Sequence, residues 1–130
     1  MMKISVVIPV YNEEKRIKST LEALYNNSEK PYEVIIADGC STDKTVEIIR
    51  KNYPQVIIVR NNRKNAAAGR NVGIKRARGT VIAFTDGDCL VDKDWLKQIR
   101  IAFENNEIDG VGGKVLVAPP INHYEEYWGN

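Results

Sequence analysis

Residues 3–27 read "KISVVIPVYNEEKRIKSTLEALYNN", and their two halves have different periods. The first, "KISVVIPV" (3–10), is a β-branched run without alternation, which predicts a strand buried on both faces. The second places Ile17, Leu21 and Leu24 at helical spacing, with Asn12 as the expected N-cap and Glu13 and Glu14 suited to a first turn. The same strand-then-helix unit recurs along the chain. Strands are expected at 32–38 ("YEVIIAD"), 55–59 ("QVIIV"), 80–86 ("TVIAFTD") and 109–118 ("DGVGGKVLVA"). Helices are expected at "DKTVEIIRKNY", at "AAAGRNVGIKRA" (weakened by Gly69 and Gly73) and at "DKDWLKQIRIAFEN". Such alternation predicts an α/β fold: three α/β/α layers around a mostly parallel, Rossmann-like sheet. Ligands of these sheets lie beyond the carboxyl ends of the strands, where strand order reverses. With the order 3-2-1-4, that point falls between strands 1 and 4. Tyr11 and Asn12, Asp38, and Asp86 with Asp88 then share one rim.

Bulk properties narrow the function. At 130 residues one domain is the simplest organisation. Nineteen basic and seventeen acidic residues leave a net charge of +2, so nucleic acid is not an expected partner. Residues 60–79 concentrate seven of the cations with no acidic residue, and that stretch suits an anion. No apolar run approaches the ~18 residues of a membrane span. Two cysteines do not make a disulfide framework, and a cytoplasmic, reducing setting is expected, with the cytoplasmic face of a membrane as a second option. Cys40 and Cys89 follow strands 2 and 4, about two strand spacings apart, and are expected as free thiols.

The chemistry-bearing residues lie at strand ends. "FTDGDC" (84–89) sets Asp86 and Asp88 around a glycine. It reads either as a turn, which Asp and Gly favour, or as a site for a hard divalent cation such as Mn²⁺ or Mg²⁺. Asp38, at the end of an apolar strand, can accept hydrogen bonds from a nucleobase or ribose. Ser41, Thr42 and Asp43 read as loop and cap residues. Arg70 and Asn71 sit among small residues early in a helix, a setting that suits a pyrophosphate. Arg63, Lys64, Lys75, Arg76 and Arg78 read as a solvated face. There is no dinucleotide fingerprint and no P-loop. His123 reads as a surface residue, and Tyr124, Tyr127 and Trp128 as packing aromatics.

Four segments in order, "SVVIPVYNEEKRI", "VIIADGCSTDKT", "AAAGRNVGIKRARG" and "VIAFTDGDC", resemble the family 2 glycosyltransferases from about residue 3 to 117. The resemblance implies the GT-A nucleotide-sugar-binding half. It implies that Pro9, Tyr11 and Glu13 form the first nucleotide-contacting loop, with Tyr11 beside the base. Asp38 then matches the aspartate that reads the base, typically uracil, and Arg70 with Asn71 matches an Arg-Asn pair near the nucleotide. Asp86 and Asp88 match the Asp-x-Asp motif: the first is directed to ribose and metal shell, the second ligates Mn²⁺ or Mg²⁺ on the diphosphate.

The resemblance further implies an inverting, metal-dependent transfer from a nucleotide-diphosphate sugar, with UDP the expected carrier, to an acceptor that is a saccharide, a lipid-linked group or a protein. Family members continue into an acceptor half that supplies the catalytic base, and Glu125 and Glu126 come too early to match it. Residues 1–130 are thus expected to be a single donor-binding domain, truncated relative to the full fold, with a homo-oligomer left open. A non-catalytic nucleotide-sugar-binding module is the alternative. A flavodoxin-like domain gives no reason to pair Asp38 and Asp88 with the Arg-Asn stretch.

Overall fold

The computed structural model describes residues 2–105, 107 and 109–112. Elements run in the order β1 (Ile4–Val10), α1 (Ile17–Tyr25), β2 (Glu33–Asp38), α2 (Thr45–Asn52), β3 (Ile57–Arg60), α3 (Ala66–Arg76), β4 (Val81–Phe84) and α4 (Trp95–Phe103). All four strands are parallel, in the order β3-β2-β1-β4, as expected. Val10 pairs with Asp38 and Val7 with Phe84, so the carboxyl ends of β2, β1 and β4 form one edge. The strand expected at 109–118 lies, from residue 113 on, outside the described residues, as do His123, Tyr124, Glu125, Glu126, Tyr127 and Trp128.

β1 is apolar throughout because it is central and covered on both sides. Its Ile4, Val6, Ile8 and Val10 join Val34 and Ile36 of β2 in a core closed by Ile17, Leu21 and Leu24 of α1, Ile49 of α2 and Leu96 of α4. Each such fully buried aliphatic side chain contributes about 1.5–3 kcal/mol of transfer free energy. α4 is tied to the end of α1 by Asn27, which accepts the Leu96 N–H (3.0 Å) and donates to the Asp92 carbonyl (3.0 Å).

α3 covers the opposite face. Asn65 caps it, accepting the Ala68 N–H at 2.7 Å. Both glycines that weaken it as an isolated helix are buried against the sheet. A Cβ at Gly69 would lie 2.9 Å from Pro9 Cβ, and one at Gly73 would overlap Val7 Cγ1. The helix approaches β1 closely because those side chains are missing.

α1 starts later than its sequence pattern suggests. Asn12 is not its N-cap: it has φ 51° and its side chain serves the next loop, accepting the Thr42 N–H at 2.8 Å and the Asp43 N–H at 3.3 Å. The Glu13 carbonyl closes a turn with the N–H groups of Arg16 and Ile17, and regular helix follows from Ile17. Asp43 precedes the N-cap position of α2, which is Lys44, and accepts the Thr45 N–H at 2.9 Å. β4 is also shorter than expected. Thr85 still donates to the Val7 carbonyl, after which the chain turns, so Asp86 stands just beyond the strand.

Candidate nucleotide-sugar site

The 86–89 segment is a tight turn in which Cys89 N–H donates to the Asp86 carbonyl at 3.2 Å. α1 holds it from below: the buried Thr20 hydroxyl donates to the Gly87 carbonyl at 2.8 Å. Gly87 is buried with no room for a side chain, since a Cβ would lie 2.9 Å from Val10 Cγ1 and 3.1 Å from Glu13 Cγ. The turn reading of "DGDC" does not exclude the cation-site reading, because the turn is what brings the two carboxylates together.

Asp86, Asp88 and Cys89 present ligand-type atoms within 4.8 Å of one another. Arg70 of α3 reaches Asp86 at 3.9 Å. Burial, then the Asp88 charge, raises the Asp86 carboxyl above its usual range, with Arg70 opposing. Glu13 is raised by burial first and then by Asp88, with smaller contributions from Asp43 and Asp86 and with Arg16 opposing. Its Oε2 is buried and, among the described residues, has no hydrogen-bond partner. Burial pushes the Cys89 thiol up, and its soft sulfur is the donor type that hard cations disfavour. The remaining donors are carboxylate oxygens, the ligands that hard cations such as Mn²⁺ and Mg²⁺ prefer. The residues fit such an ion, because a positive charge would offset both the burial and the mutual repulsion that raise Asp86 and Glu13.

Farther along the rim, Pro9, Tyr11, Asn61, Lys64 and Asn65 line a cleft of about 210 Å³. Lys64 is exposed, as expected, yet its backbone, at φ 65°, also borders this cleft, and a Cβ at Gly39 would lie 3.3 Å from its Cα. Asn61 shapes the same wall: it is buried, and its amide donates to the Asn65 carbonyl at 2.9 Å. Nothing in the composition of 60–65 marks it as a wall, because its shape comes from backbone conformation. Asp38 lines a separate hollow of about 410 Å³ with Cys40, Ser41 and Arg60. Asn71 is exposed, on a different side of α3 from the neighbouring Arg70. Cys40 and Cys89 are free thiols, as expected. No helix among the described residues is long and apolar enough to cross a membrane.

With this geometry in place, the comparison with known proteins is direct. The family model described as Glycosyl transferase family 2 matches residues 5–125. The chain belongs to glycosyl transferase family 2. Among its relatives, Glycosyltransferase AglE of Haloferax volcanii is 36% identical over 123 residues, covering 90% of this chain and 40% of AglE. The crystal structure of Staphylococcus aureus TarS 1–349 superposes with a TM-score of 0.73 at 28% identity, over 86% of this chain and 38% of TarS 1–349. TarS 1–349 has also been solved in complex with UDP and with UDP-GlcNAc. The mannosyltransferase PcManGT of Pyrobaculum calidifontis, solved with GDP-Man and Mn²⁺, superposes with a TM-score of 0.59 at 28% identity, over 68% of this chain and 28% of PcManGT. This family 2 chain thus has the expected GT-A architecture and spans less than half the length of these relatives.

Proposed function

We propose that the rim binds a nucleotide-diphosphate sugar, UDP-linked, together with a divalent cation, and that the chain is the donor-binding domain of an inverting glycosyltransferase. The observation that carries this reading is the placement of Asp86 and Asp88 beside Arg70, on the same sheet edge as Asp38 and Tyr11. Tyr11 and Pro9 wall one cleft at this edge, and Asp38, from its own hollow at the end of β2, accepts from the base. Arg70 lies by the diphosphate with Asn71 next to it. Asp88, with Asp86, would hold Mn²⁺ or Mg²⁺. Glu13 backs the turn that carries them. When bound, the cation supplies Lewis-acid charge that stabilises the departing nucleoside diphosphate. UDP and UDP-GlcNAc in TarS, and Mn²⁺ in PcManGT, support the same assignment.

Titration calorimetry tests it. UDP should bind the chain at least about tenfold more tightly with Mn²⁺ than without, and Asp88→Ala should abolish that gain while the fold, followed by circular dichroism, persists. Binding indifferent to metal, or no binding of any nucleotide, would count against the assignment.

A further inference from the structure

Behind Asp38 lies a hydrogen-bond chain to which the donor-binding reading assigns no task. Asp38 is buried, with only 9% of its residue surface exposed. Its Oδ1 accepts the Ser41 hydroxyl at 2.6 Å, and both its oxygens lie 3.3 Å from the Ser41 N–H. The Ser41 oxygen in turn accepts the Asn12 N–H at 2.9 Å. A serine hydroxyl has one proton to give. With the Asn12 N–H aimed at the Ser41 oxygen, that proton is directed to Asp38. Two donors then converge on the carboxylate, which stays an acceptor toward anything that enters.

Asn12 is what sets this direction. Its left-handed backbone, which Asn tolerates better than most residues, accompanies a two-way clasp between loops. Its side-chain carbonyl accepts from Thr42 N and Asp43 N, and its amide donates to Thr42 Oγ1 at 3.2 Å. The next residue continues the clasp, with Glu13 N–H on Thr45 Oγ1 at 2.8 Å. These bonds tie the β1–α1 and β2–α2 loops together and hold Ser41 in register with Asp38.

We propose that Asn12 and Ser41 are positioning residues that fix Asp38 as a hydrogen-bond acceptor, so that the site selects a base presenting a ring N–H. The proposal rests on the donor-binding reading and deepens it. Uracil offers N3–H at its recognition edge. Cytosine, of the same size, offers a bare ring nitrogen there, which a carboxylate repels. Without the Ser41 proton the carboxylate can rotate, and its discrimination falls.

The test compares UDP and CDP, both with Mn²⁺, by calorimetry on the whole chain. The unaltered chain should prefer UDP by at least about tenfold, a typical effect for a hydrogen bond to a charged group. Ser41→Ala should weaken UDP about tenfold, leave CDP nearly unchanged, and so collapse the ratio. Ser41→Thr, which keeps the hydroxyl, should restore it. If melting shows Ser41→Ala unfolded, Ser41→Cys, with its weak donor, takes its place and should show a partial collapse. Equal weakening of UDP and CDP, as a merely structural role would give, overturns the relay and leaves the donor reading standing. So does an unaltered chain that binds both nucleotides equally. An unaltered chain that binds neither overturns both.

Discussion

Glu13 shows how far a single position departs from its sequence reading. The helical pattern after β1 suggests an exposed acidic residue in a first turn. Folding instead sets its Cγ beside the position of a Gly87 side chain, buries Oε2 with no hydrogen-bond partner among the described residues, and places it in the field of Asp88. The "NEEKRI" stretch could not reveal this, because the charges that press on Glu13 come from residues 43, 86 and 88. A pH dependence follows. Its folded-state value is raised above the ordinary value of 4.5, so the folded state binds the proton more tightly than the unfolded one. The native state is then penalised at neutral pH, and the penalty fades as pH falls through the folded value toward 4.5 and below. Glu13→Gln should melt above the unaltered chain at pH 7, with a gain that shrinks on acidification. Its long contact with Arg16, at 3.9 Å, is a small loss by comparison. Thermal melts across that range decide the matter, and equal midpoints at pH 7 would sink it.

Among the elements, α3 was readable in type but not in purpose. Its glycines lower helix propensity, and the sequence offers no compensating gain. The gain is tertiary: Gly69 and Gly73 let the helix lie directly on Pro9 and Val7, which brings Arg70 within reach of Asp86. The strands were legible because burial on both faces leaves continuous β-branched runs. The start of α1 was not, because Asn12 spends its side chain on a loop 30 residues away. Gly73→Ala weighs two opposed effects. Alanine restores about 1 kcal/mol of helix propensity. Its Cβ would overlap the buried, χ1-stiff Val7 side chain, and overpacking costs about 1–3 kcal/mol or more. Overlap should win. We expect a fall of about 5–10 °C in melting temperature and weaker nucleotide binding, while Gly110→Ala, with none of the described residues within 4 Å, leaves the midpoint unchanged. A Gly73→Ala midpoint at or above that of the unaltered chain would show that α3 can lift off the sheet without cost.

At the scale of the whole molecule, strand order decides which loops meet, and the alternation of elements made that order inferable. What no single motif carries is the division of labour among the rim carboxylates. Asp38 is engaged by Ser41. Asp86 and Asp88 face each other beside Arg70, and Glu13 is packed behind their turn. The proposed donor complex gives all four a task on the nucleotide side and leaves none to take a proton from an acceptor hydroxyl. A general base must lie within hydrogen-bond reach of the proton it removes. The chain alone should therefore bind UDP-sugar and release UDP slowly with hydroxyl acceptors, well below the ~1–10³ s⁻¹ usual for enzymes. Azide, a nucleophile with no proton to lose, should accelerate UDP release relative to glycerol at equal concentration. A coupled assay for UDP makes the comparison, with Asp88→Ala as the control that silences both reactions. Turnover on hydroxyl acceptors in the usual enzymatic range, unaffected by azide, would place a working base within these 130 residues and overturn the assignment of the rim carboxylates to the donor alone.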